Sequence, residues 1–157
     1  MIQTARPRHR WLPLITMLTF LTLSPFAIAK DYVPFPGKLQ VHLLNVDAAN
    51  IIFVNFESWP GFRRAVRVIL PGITLPADTP LADDCEREKA ARALAFTQEF
   101  TKNAEKLYIS NLHMQTSADP EGYSDLYSDK QGSLIQALKQ EGLARDDSVP
   151  TDTSWCD

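Results

Sequence analysis

The chain has 157 residues, with 16 lysines and arginines against 19 aspartates and glutamates, 11 prolines, 6 glycines and 2 cysteines. That length suits one hydrophobic core, and the formal charge of −3 at pH 7 excludes a broadly basic surface of the kind that gains affinity by neutralising phosphates. A leader is expected over residues 1–29. Arg6, Arg8, His9 and Arg10 precede an apolar run over residues 11–23, and Ala27-Ile28-Ala29 has the small-x-small form of an export cleavage site. The run is too short to cross a bilayer comfortably, and no later stretch reads as a span. Cleavage before Lys30 leaves 128 residues with 13 basic and 19 acidic side chains, a net charge near −6.

Residues 31–37 contain Pro34, Pro36 and Gly37 and read as an irregular arm. Over residues 38–46, Leu39, Val41 and Leu43 alternate with Gln40 and His42, the pattern of a half-buried strand. Residues 47–50 are a short polar connector, and residues 51–56 make a second strand, close enough to pair as a hairpin. Residues 57–61, with Trp59-Pro60-Gly61, are a turn before a third strand over residues 64–70. Arg67 is embedded in that strand. Two readings stay open for it: a charge pointing to solvent from a half-buried strand, or a forked donor holding an anion such as a phosphate.

Residues 71–82 hold three prolines and form a loop long enough to be functional or disordered. Asp83 and Asp84 are natural N-caps, and Asp83 with Glu86 has the spacing of a capping box. From Cys85 the apolar spacing turns helical, with Ala90, Ala93, Leu94, Thr97, Phe100 and Ala104 forming a stripe that predicts a helix to about residue 104. A fourth strand follows over residues 106–114, a polar loop over 115–121, a fifth strand over 122–127 and a turn over 129–132. Ser133 caps a short helix whose Leu134, Ile135 and Leu138 face inward, and Gly142 stops it at the C′ position.

This order predicts an α+β, mainly β fold: a five-stranded Greek-key barrel of the OB type, with one long helix after the third strand and a short C-terminal helix. The expected organisation is a leader over residues 1–29, one domain over 30–145 and a tail over 146–157. Two cysteines in an exported chain favour a bridge between Cys85 and Cys156. It would close a loop of roughly 70 residues and contribute on the order of 4 kcal/mol in the chain-entropy model. Zinc is a poor alternative, because neither His42 nor His113 has ligand spacing to a cysteine.

Seven short segments then occur in a telling order: Val46-Asp47-Ala48-Ala49-Asn50, Trp59-Pro60-Gly61, Val66-Arg67-Val68, Gly72-Ile73, Cys85-Glu86-Arg87-Glu88, Gly142-Leu143-Ala144-Arg145 and Trp155-Cys156. Together they resemble the exported bacterial branch of the thermonuclease family, the staphylococcal-nuclease-like OB-fold domain, over nearly the whole mature chain. The resemblance implies a phosphodiesterase that uses calcium on two aspartates, arginines facing the phosphate and a glutamate near the attacking water. It also strengthens the Cys85–Cys156 pairing.

Position by position the chemistry thins. The first ligand aspartate falls on Ala49, with Asp47 two residues before it, and the third-strand arginine is retained as Arg67. Matching Gly72-Ile73 puts Thr74 at the second aspartate and Ala77 at the glutamate, whereas matching Asp78-Thr79-Pro80 recovers Asp78 and puts Leu81 at the glutamate. Tyr123 stands where the family's later arginine would be. The resemblance therefore implies a vestigial site with Arg67 as its surviving catalytic candidate, Asp47 and Asp78 as weak metal candidates, and no cofactor. The expected function is an exported, periplasmic or secreted, monomeric binding or scaffold module with a protein partner. Nucleic acid is disfavoured as a ligand by the acidic chain. The alternative is a calcium-dependent nuclease acting on DNA or RNA with rearranged ligands.

Overall fold

The computed structural model describes residues 32–150 and 153–156, so the expected leader lies outside the described residues. Nine strands and two helices follow in chain order: β1 (Tyr32–Ala48), β2 (Ile51–Trp59), β3 (Phe62–Ile69), β4 (Ile73–Thr74), α1 (Asp84–Asn103), β5 (Leu107–Met114), β6 (Glu121–Tyr123), β7 (Leu126–Ser128), β8 (Gly132–Ser133), α2 (Leu134–Gln140) and β9 (Arg145–Asp146). Five of them close a ring in the order β1-β2-β3-β6-β5 and back to β1. All its pairings are antiparallel except β3 with β6. The fold is mixed α and β, mainly β, and barrel-like.

The residues expected to form an irregular arm belong instead to β1. Its first part pairs with β5, from Tyr32↔Met114 to Val41↔Leu107, and its second with β2, from His42↔Asn55 to Ala48↔Ile51. Prolines are tolerated there because the register slips on both sides of Phe35. Phe35 opposes Leu112 and Lys38 opposes Ser110, so Pro36 and Gly37 together face Asn111. Gly37 takes φ +82 and donates its N–H to Asn111 Oδ1 at 2.8 Å, while Asn111 itself has φ +48. This is a glycine bulge within the β5-paired part of β1, and the strand passes to β2 further on, between Val41 and His42.

The expected fifth strand is two strands. At Ser124 the chain leaves β6, which lies parallel to β3, and enters β7, which pairs with β5. Ser124 is buried, its N–H donates to the Ile69 carbonyl at 3.2 Å, and its Oγ accepts the Ser110 N–H at 3.0 Å. The crossing thus leaves both the N–H and the hydroxyl of buried Ser124 paired. The order of elements also differs from that expected: between β3 and the long helix the chain forms β4, which pairs with β9, inside a segment read as loop.

Alternating residues of the ring fill its interior. Ile52, Val54 and Phe56 of β2, Val66 and Val68 of β3, and Ile109 and Leu112 of β5 are buried together with Phe100, Leu126, Leu134 and Leu138. Helix α1 begins as its spacing predicts, with Asp83 accepting the Glu86 N–H at 2.7 Å, and it buries Ala93, Thr97, Phe100 and Thr101. Helix α2 is capped by Ser133 and ends in a Schellman pattern, with Leu143 N–H on the Leu138 carbonyl and Gly142 at φ +67.

Cys85 and Cys156 form a disulfide across 71 residues, with Cα atoms 6.3 Å apart. Arg145 stacks on Trp155 at 4.1 Å and donates to the Thr153 carbonyl at 3.0 Å, and Lys89 donates to the Trp155 carbonyl. Replacing both cysteines by alanine is expected to lower the melting temperature by roughly 10 °C, read by calorimetry. Gly122 is a sharper probe of ring closure. An added Cβ would lie 2.8 Å from Leu112 Cδ1 and 3.1 Å from the His113 carbonyl oxygen. Gly122→Ala should cost about 1–3 kcal/mol in urea unfolding, and a neutral outcome would mean that β6 does not press against β5.

Candidate functional site

The residues singled out around Arg67 come together at one end of β1. Period two along the strands and the observed register align Asn45, Phe53 and Arg67 in one row across β1, β2 and β3. Arg67 Nε donates to Asp47 Oδ2 at 2.9 Å, and Asn45 Nδ2 donates to Asp47 Oδ1 at 2.7 Å. The guanidinium carbon sits 5.4 Å from the Phe53 ring centroid. Both oxygens of the carboxylate therefore have donors, and one edge of the guanidinium is already engaged by the protein.

The electrostatics follow from these bonds. The hydrogen bond from Arg67 holds the Asp47 carboxyl below its ordinary value of 3.8; residual burial opposes this, and the Asn45 bond and the Arg67 charge reinforce it. The pair is partly solvated, with side-chain exposures of 47% for Arg67 and 28% for Asp47. In this setting it orients the two side chains and contributes modestly to stability.

Beside the pair lies a cleft of about 500 Å³ between the β1–β2 turn, residues 75–78 and the outer side of α1. Its walls are short and apolar, with Ala48 and Ala49 facing Ala90, Ala93 and Leu94, and Asp47 and Asp78 both line it. Alanines on both sides keep the walls low, with the longer Leu75, Leu94 and Gln98 also bordering the space. Thr97 holds the turn against the helix by donating its hydroxyl to the Ala49 carbonyl at 2.9 Å. Outside the cleft, Glu86 accepts the Ala77 N–H at 2.8 Å and ties the loop to the first turn of α1.

The other residues marked by sequence do not join this group. Ala49 is 6% exposed and part of the core, so a methyl occupies the position that the resemblance gives to a ligand carboxylate. Thr74 is in β4 opposite Arg145. Leu81 is 97% exposed, and Tyr123 is half-exposed in β6. Among the described residues, neither Asp47 nor Asp78 belongs to a set of three potential ligands whose donor atoms lie within 4.8 Å; the set that does is Asp83 with the two disulfide-bonded cysteines.

Calcium takes six to eight oxygens in a flexible cage. One carboxylate already committed to an arginine and an asparagine, together with Ala49 at the first ligand position, does not fit that requirement. Sequence reasoning missed Asn45, and it read Glu86 only as a capping partner of Asp83 and missed its bond to the Ala77 N–H. The signal for Asn45 was its position two residues before Asp47, whereas the Glu86 bond could be found only once the loop was folded over α1.

Arg67→Gln is expected to raise the Asp47 titration towards the ordinary aspartate value, followed by carboxyl-carbon NMR. The sign is fixed by linkage: a carboxyl lowered on folding contributes fully above the unfolded value and loses that contribution as pH falls through the folded one. The pair is therefore insensitive to pH near neutrality and dissolves in acid, and an unchanged titration in the variant would mean that the bond does not form in solution. No family model matches this chain and no curated protein matches it, so function rests on the geometry of these residues.

Proposed function

We propose that this chain is an exported thermonuclease-like domain on an OB-type barrel that has lost nuclease activity and acts as a non-catalytic binding or scaffold module. The ring order β1-β2-β3-β6-β5, with its single parallel pairing, supports the barrel type. The disulfide supports an oxidising compartment, periplasmic or extracellular. The observation that carries the loss of catalysis is the closed Asp47–Arg67–Asn45 group. A phosphodiesterase needs its arginine free to meet charge developing on the phosphate and its carboxylates free to hold a cation. Here the charges satisfy each other, and buried Ala49 stands at the position of the family's first ligand aspartate.

What remains is a concave, mostly apolar cleft with a few polar groups at its rim, a form suited to binding. Its acidic residues disfavour nucleic acid there, since a phosphate entering the cleft would approach Asp78.

The test is cleavage of single-stranded DNA and RNA in calcium, magnesium and manganese, with the purified chain alongside Arg67→Ala and Asp78→Asn. No metal-dependent cleavage above the background of the two variants is expected. Cleavage that requires a divalent cation and disappears in either variant would establish the rearranged nuclease instead.

A further inference from the structure

The end of the ring opposite the cleft carries an unusual concentration of exposed aromatic surface. Trp59 and Phe62 oppose each other across the last pair of β2 and β3, and they are 71% and 70% exposed. Pro60 and Gly61 join them, with Gly61 at φ +81, and both are exposed. The tip is held in shape: Glu57 Oε1 accepts the Gly61 N–H at 2.7 Å, and Ser58 Oγ lies 3.3 Å from the Phe62 carbonyl. Two large rings are thus fixed outward on a rigid projection. Neither of the two aromatic ring pairs includes them.

The surroundings identify this end of the molecule. Arg64, two residues past the tip, donates to the Ser117 and Asp119 carbonyls and lies over Phe35, which packs on Phe56. Tyr32, 46% exposed and paired with Met114, stands at the same end.

We infer that this tip docks on a phospholipid bilayer, placing Trp59 and Phe62 at the level of the headgroups. Three physical points select that occupant. A four-residue projection with two aromatic rings offers roughly 300–500 Å², well short of the ~800 Å² per partner that a stable protein interface buries. It is convex, so it can enter a fluid surface but cannot enclose a partner's side chains. Trp is favoured at the membrane–water boundary, where one end of the ring is apolar and the other wet. The acidic charge of the domain opposes anionic surfaces, so attachment rests on the rings and needs no anionic lipid. Exposed Arg63 next to the tip can meet a headgroup phosphate.

The experiment uses protein purified after export, with the N-terminus that the cell leaves on it, floated with phosphatidylcholine vesicles. Binding is expected, with little dependence on salt, and brominated phosphatidylcholine should quench a component of tryptophan emission that is missing in Trp59→Phe. Phe62→Ser and Trp59→Ser should each weaken partitioning roughly tenfold, with circular dichroism unchanged because both side chains are exposed. Any binding left in the double variant belongs to other segments. Partitioning equal in wild type and double variant would overturn the inference, as would absence of vesicle binding. Self-association in the absence of lipid that the same substitutions remove would overturn it too, by assigning the tip to a second copy.

Discussion

The structure depends on one strand serving two neighbours. The 17 residues of β1 pair with β5 over the first part of their length and with β2 over the second, so β1 removes an edge from each of them. An open sheet would present unpaired N–H and C=O groups along β5 and β1, whereas closure satisfies them and encloses the apolar faces of β2, β3 and β5 in one core. A flat strand cannot make the change of direction. The strand bends on the way at the bulge of Pro36 and Gly37, answered by left-handed Asn111 on β5, and passes from β5 to β2 between Val41 and His42. Closure on the other side is thin, since β5 and β6 share the single register pair His113↔Tyr123, and it is there that Gly122 has no room for a side chain.

Local patterns carried most of the elements. Alternation gave β2, β3 and β5, and helical spacing with an acidic cap gave α1 to within a residue or two. Ser133 and Gly142 marked the two ends of α2 for reasons of capping alone. What the sequence hid depends on distant partners. Two prolines made residues 31–37 look irregular, and only the slipped pairing with β5 admits them to a strand. The two-residue strands β4 and β9 exist because each has the other, 71 residues apart, and neither has a period of its own.

The candidate site was legible in the same partial way. Arg67 stood out as a charge among aliphatics, and Asp47 as a remnant of a motif, but nothing in either segment announced that they bond to each other across an intervening strand. That bond gives Arg67 a partner that neither reading named: Asp47 has one of its donors and Phe53 lies against its face. The cleft beside it has alanines on both walls, a feature that composition alone does not distinguish from an ordinary tightly packed helix contact.

The bridge between Cys85 and Cys156 imposes an order of events in time. Its second sulfur arrives after every strand of the ring and both helices have been synthesised, so covalent closure is a final latch and cannot guide the early search for structure. During that interval the ring must hold together by burial and pairing alone. Until the bond forms, the start of α1 and the segment around Trp155 and Cys156 have no covalent link.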